Sequence, residues 1–135
     1  MMSTKNQKSG ITVVRQFYDL AAQDKFDEAG QYLAPDIILR ETTDVPFGGD
    51  YHGLEGNAEL MGKITSVFNV AIEKIEYLDA SDPVVVKILA RFTSKATGKT
   101  VEMQVVEMLT VRDGLISDID IYYKNPSTVA ALWPR

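Results

Sequence analysis

The chain has 135 residues, 45% hydrophobic and 24% charged, with 14 basic against 19 acidic side chains for a formal net charge of −5. That length suits one compact domain with its own core, the apolar fraction excludes disorder, and the acidic balance without a basic stripe argues against a nucleic-acid partner. With no cysteine, disulfides, thiolate catalysis, zinc–cysteine sites and iron–sulfur clusters are excluded, and a single histidine, His52, leaves no paired-histidine metal motif.

Residues 1–8 are polar and read as a disordered leader, followed by a single domain over residues 9–135. No run approaches ~20 apolar residues, so the expectation is a cytoplasmic protein that does not enter a membrane. Ser9 can cap a helix from Gly10 to about Gln23, with its apolar face centred near Val14, Phe17 and Ala21 and Tyr18 toward the edge. A second short helix is predicted from Lys25 to Leu33, with Phe26, Ala29 and Leu33 inward and Pro35 as its stop. A strand follows over Ile37–Thr42. The segment Asp44–Gly53 is rich in turn residues and long for a connection, which marks it as a candidate functional loop on the rim of the molecule.

A third helix spans about Glu55 to Phe68 and buries Leu60, Met61, Ile64, Val67 and Phe68. Four strands then run over Ala71–Asp79, Pro83–Ser94, Thr100–Arg112 and Leu115–Tyr123. Thr97-Gly98-Lys99 and Arg112-Asp113-Gly114 are hairpin turns, so neighbours form an antiparallel meander. The tail after Pro126 is predicted to make one helical turn before Trp133, which can cap either a cavity or a subunit seam. This order of elements defines an α+β domain: a strongly curved antiparallel sheet wrapped around three helices as a cone, with a central cavity.

Strand side chains alternate between faces, so parity sorts each strand into a core side and an outer side. On Thr100–Arg112 the apolar parity carries Val101, Met103, Val105, Leu109 and Val111, with Glu107 as its only charge. On the first strand Ile37, Leu39 and Glu41 share a face. Two carboxylates therefore stand on apolar inward stripes. Each either pairs with a buried cation, tyrosine or backbone donor, or lines a cavity in which one acid stays protonated while the other serves as base. Asp120 has the polar parity of its strand and is expected outside. The outer face also carries Leu89, Val106, Met108 and Tyr122, which predicts a homodimer packed through that face.

Val14-Arg15-Gln16-Phe17-Tyr18, Leu33-Ala34-Pro35-Asp36, Pro46-Phe47-Gly48-Gly49, Tyr51-His52-Gly53 and Asp113-Gly114-Leu115-Ile116 together resemble the SnoaL-like group of the nuclear transport factor two (NTF2-like) superfamily. The resemblance covers residues 10–126. That superfamily also holds ketosteroid isomerases, limonene epoxide hydrolases and polyketide cyclases. Aligned on Ala34-Pro35-Asp36, Glu41 falls on the isomerases' proton-shuttling carboxylate. Aligned on Asp113-Gly114, Glu107 falls on their protonated oxyanion-hole acid. The isomerases' helix tyrosine falls on Phe17, one residue from Tyr18, and the strand aspartate of the epoxide hydrolases falls on Ile121. The resemblance thus implies an incomplete isomerase set.

Two functional readings follow. One is a module that binds a small apolar ligand in a cavity carrying one or two buried acids. The other is a cofactor-independent isomerase or cyclase that moves a proton next to the carbonyl of an apolar, often polycyclic, ketone. In the second reading Glu41 is the base, and Glu107, Tyr18 or His52 stabilises the enolate. Tyr32, Tyr51 and Tyr123 are further pocket candidates. Neither reading calls for a metal or a cofactor; Phe47-Gly48-Gly49 lacks the Lys-Ser/Thr of a phosphate loop.

Overall fold

A computed structural model of the chain describes residues 9–134; the leader expected over residues 1–8 lies outside the described residues. Helix α1 (Gly10–Ala21) begins where Ser9, in extended backbone, accepts the Thr12 amide at 3.4 Å. Its buried residues are Val13, Val14 and Tyr18, while Phe17 is only partly buried. The expected order of Phe17 and Tyr18 is therefore reversed. Apolarity alone ranks phenylalanine deeper, but a tyrosine is stable in a core once its hydroxyl has a partner, and this one does.

The second helix is shorter than predicted. Helix α2 (Phe26–Ala29) passes through a 3₁₀ turn (Gly30–Tyr32) straight into strand β1 (Leu33–Glu41), so Pro35 lies inside the strand rather than after a helix. The residue before a proline is driven toward extended backbone, and Pro35 itself lacks a ladder donor. It sits where the pairing of β1 with β6 (Leu115–Tyr123) is irregular: Leu33 pairs with Ile116, but Ile38 already with Asp118. Strand β2 (Gly49–His52) was expected as loop. It pairs antiparallel with the second half of β1, Leu39 opposite Tyr51. Gly48, just before it, crosses the β1 terminus so closely that a Cβ there would stand 2.0 Å from the Thr42 carbonyl oxygen.

Helix α3 (Gly53–Val67) leads into β3 (Phe68–Asp79), β4 (Val84–Ser94), β5 (Thr100–Arg112) and then β6. At the β5–β6 hairpin, Asp113 and Gly114 both have positive φ, 53° and 76°, as a type I′ turn requires. Helix α4 (Pro126–Ala130) closes the chain, and Trp133 beyond it packs on Phe47 and Phe68.

The six strands form one sheet in the order β2-β1-β6-β5-β4-β3. All neighbours are antiparallel except β1 and β6, which run parallel. The expected all-antiparallel sheet is thus corrected to a mixed one: the crossover from β1 through α3 and three long strands returns β6 alongside β1 in the same direction. Helices α1 and α3 lie across the concave face. The inward parity of β4 to β6 is as predicted, with Val84, Val86, Ile88, Ala90, Phe92, Leu109 and Ile119 all buried. No helix among the described residues is long and apolar enough to cross a membrane.

Candidate active site

Helices laid over a curved sheet cannot fill its concavity, and a cavity of about 200 Å³ remains. Its floor is the inward side of β1 and β3 to β6; its roof is α1, α2 and one stripe of α3. Phe26 and Thr65 line it while being exposed, so the opening lies between α2 and α3. The wall is mostly aliphatic and aromatic. Against it stand two carboxyl groups, and among the described lining residues there is no lysine, arginine or histidine.

Glu107 stands in mid-strand on β5, between Val86 of β4 and Ile121 of β6, neither of which can neutralise a charge. Its Oε1 accepts a hydrogen bond from the Tyr18 hydroxyl, which reaches down from α1. Burial pushes the Glu107 carboxyl up from the ordinary carboxylate value, and the Tyr18 hydrogen bond pulls it partly back. Tyr18 is held well above the ordinary phenol value by burial first and the Glu107 charge second, so it remains a donor.

Glu41, 5% exposed, closes strand β1. Its Oε1 accepts the Thr42 amide at 3.1 Å and its Oε2 accepts the Tyr123 hydroxyl at 3.3 Å. Burial first, and the neighbouring charge of Glu107 second, raise its pKa to about 8; the two hydrogen bonds offset only part of this. Tyr123, like Tyr18, is pushed well above the phenol range, by burial and then by the two acids.

The two placements considered for the inward acids coexist, while their acid and base roles belong to the proposal below. Each has a tyrosine or backbone donor, and both open onto the same cavity. A carboxyl with a pKa near 8 is mostly neutral at pH 7 yet readily gives up its proton, and a dry wall carrying tyrosine donors stabilises an oxyanion. The chamber is thus equipped to hold a carbonyl oxygen and to take a proton from beside it.

Of the four candidate residues, Tyr18, Glu41 and Glu107 line one cavity and His52 does not. Alternation along the edge strand β2 turns Tyr51 inward and leaves His52 exposed and away from the cavity wall. The loop predicted to rim the cavity contributes no lining residue: Val45, Phe47 and Tyr51 are buried at the other end of the core, where the Tyr51 hydroxyl donates to the Phe47 carbonyl at 2.8 Å. Tyr32 and Trp133 are likewise off the wall. Asp120 faces outward as expected and accepts the Tyr122 hydroxyl at 2.9 Å. Two lining residues carry more than sequence reasoning assigned. Tyr123 had been one tyrosine among several, although its parity with Ile119 and Ile121 places it inward. Asn57 was missed, although it falls on the helical stripe of Leu60, Met61 and Ile64.

Among the described residues no cluster of His, Asp and Glu has the arrangement of a metal site. No curated protein matches the sequence. Several solved structures share the fold. An NTF2-like protein of Burkholderia pseudomallei aligns over 95% of this chain and 100% of its own, at 14% identity and a TM-score of 0.82. TerC, crystallised with polyporic acid, aligns over 93% and 98%, at 19% identity and a TM-score of 0.80. A candidate SnoaL-like polyketide cyclase of Mesorhizobium loti aligns over 84% and 97%, at 27% identity and a TM-score of 0.69. The family model of the SnoaL-like domain matches residues 14–119, and on that match the chain belongs to the SnoaL-like family, with an NTF2-like fold.

Proposed function

We propose that the protein is a cofactor-independent acid–base catalyst that transfers a proton next to the carbonyl of a small apolar ketone. The observation that carries this reading is the placement of Glu41 and Glu107 on one apolar cavity, each in contact with a tyrosine hydroxyl. Glu41 is the base: with a pKa of about 8 it is matched to proton transfer near neutral pH. Glu107, whose carboxyl is pushed up by burial, donates to the enolate oxygen that develops as the proton leaves, while Tyr18 gives its one hydrogen to Glu107 Oε1 and so orients that carboxyl. Tyr123 holds the Glu41 carboxyl in place through Oε2.

The cavity also sets the scale of the ligand. A dry protein cavity of ~150 Å³ takes up benzene. The volume here, about 200 Å³, therefore suits one substituted ring better than the fused polycycles that the family resemblance suggests. Acetophenone is a fitting probe. Loss of its methyl proton signal in D₂O should run faster with the protein than with buffer, and Glu41→Gln should return it to the buffer rate.

A second reading, ligand binding without turnover, is favoured by the same raised pKa: at pH 7 Glu41 is mostly protonated and can then act as a donor. Acetophenone that binds but exchanges no faster than in buffer would select this reading. Assembly as a homodimer through the outer sheet face belongs to the proposal too, since Tyr122 is 54% exposed there beside the half-buried Leu89, Val106 and Met108. A 15.0 kDa species in light scattering at micromolar concentration would overturn it.

A further inference from the structure

The polar side chains on the cavity wall are, with one exception, engaged with neighbours. Tyr18 donates to Glu107, Tyr123 donates to Glu41, and the Thr65 hydroxyl donates to the Met61 carbonyl at 2.8 Å. The exception is Asn57, whose side-chain carboxamide makes no hydrogen bond to another described residue. Asn57 is half-buried, on the second turn of α3, and shares the cavity-facing stripe with Leu60, Met61 and Ile64.

Neither packing nor local structure accounts for an asparagine there. The stripe is otherwise apolar, and leucine would extend it. Asparagine is a weaker helix former than leucine; the N-cap position of α3 is His52, which makes no side-chain capping bond, and Asn57 lies in the second turn and makes none either. A carboxamide presents two donor hydrogens and an acceptor oxygen, and in an apolar wall those groups favour a polar partner. The acids lie on the sheet, on β1 and β5, whereas Asn57 projects from the helix that roofs them.

We infer that Asn57 is a second polar anchor of this cavity and binds a hydroxyl or oxo group on the ring of a ligand whose carbonyl is held by Glu107, beside the base Glu41. The ligand class narrows accordingly, from a small apolar ketone to a hydroxylated or oxo-substituted monocyclic ketone. The inference rests on the ketone reading of the cavity and adds a specificity-determining residue to it.

The test compares acetophenone with its 2-, 3- and 4-hydroxy derivatives, binding measured by titration calorimetry and by shifts of cavity methyl resonances. On the wild type, one hydroxy isomer should bind roughly three- to tenfold more tightly than acetophenone, as a single net hydrogen bond allows. In Asn57→Leu that preference should vanish while acetophenone affinity stays within about twofold. Asn57→Ala, which removes the carboxamide without adding bulk, should lose the same preference, so a folding defect in one variant cannot imitate the result. Equal binding of all four probes by the wild type, or a preference that survives in both variants, overturns the role of Asn57 and leaves the ketone reading standing. If acetophenone itself fails to bind the wild type, the ketone reading falls and the inference goes with it.

Discussion

Arg40 and Glu41 are adjacent in the chain and live in different solvents. Arg40 points to the convex side of the sheet, where its guanidinium meets Asp118 at 3.0 Å and Asp50 at 3.7 Å, all three partly open to water. Glu41 points to the concave side, where no cation among the described residues lines the wall and burial lifts its pKa to about 8. Strand β5 repeats the contrast. Glu102, outside, shares Arg91 with Glu73 at 3.1 and 2.9 Å, while Glu107, inside, has only the Tyr18 hydroxyl. The same residue type, five positions apart, is a solvated ion on one face and an acid raised by burial on the other. Parity alone makes the difference: among the described residues, one face carries counter-ions and the cavity wall carries none.

The contrast can be broken at several points, and the inner face should respond far more than the outer. The largest effect is expected for Glu41→Gln, which should cut ketone proton exchange by roughly 10²–10⁴-fold, because an amide cannot act as a base. Retention of more than about a tenth of the wild-type rate would remove Glu41 from that role. Next comes the pH dependence of stability. The Glu41 pKa is about 8 folded against an ordinary 4.5, so the folded state holds the proton more tightly. Its favourable contribution is complete below pH 4.5 and is lost as pH rises toward 8, on the order of 3–5 kcal/mol in all. Denaturant midpoints should fall over that interval in the wild type and fall much less in Glu41→Gln. A wild-type profile as flat as the variant's would show that the carboxyl is solvated after all.

A smaller effect separates two substitutions of Glu107. Glutamine keeps the shape, an acceptor for Tyr18 and a donor toward the ligand, and should cost less than about 1 kcal/mol with exchange retained within roughly tenfold. Alanine leaves a hole and an unpaired Tyr18 hydroxyl, and should cost about 1–3 kcal/mol with a larger loss of exchange. If glutamine harmed exchange as much as alanine, proton transfer rather than donation would be the role of Glu107. The smallest effect belongs to the outer face: Glu102→Gln should move the thermal midpoint by no more than about 1–2 °C, less in high salt. A shift as large as those of the inner substitutions would erase the distinction between the two faces.

Much of this contrast was legible before any coordinates. The alternation along β5 and β6 is regular enough that both strands begin and end where the residues predict, and Glu107 stands out as the one charge on an apolar parity. Glu41 was readable for the same reason, despite a short strand. What stayed hidden depends on partners distant in sequence. Which strand lies beside β1 is not written in β1, so its parallel pairing with β6 could not be foreseen. Strand β2 has only four residues and opens on a glycine, too short for alternation to show. The depth of Tyr18 was misjudged because its hydroxyl partner lies 89 residues away on β5. His52 was a candidate because its loop was expected to rim the cavity; only its place on an edge strand shows that it faces water.

Trp133 is the only tryptophan, and its ring lies 5.6 Å from that of Phe47 and 6.1 Å from that of Phe68, off the cavity wall. The tryptophan fluorescence of this protein, excited apart from its tyrosines, therefore originates at one point, and that point is not the ligand's. Phe47 belongs to the segment before β2, Phe68 opens β3, and Trp133 follows the last helix, so the emission depends on three remote stretches of chain staying docked. Denaturation can thus be followed optically with the cavity empty or filled, and a change in emission maximum on adding ligand would report the docking of the C-terminal segment rather than occupancy of the site.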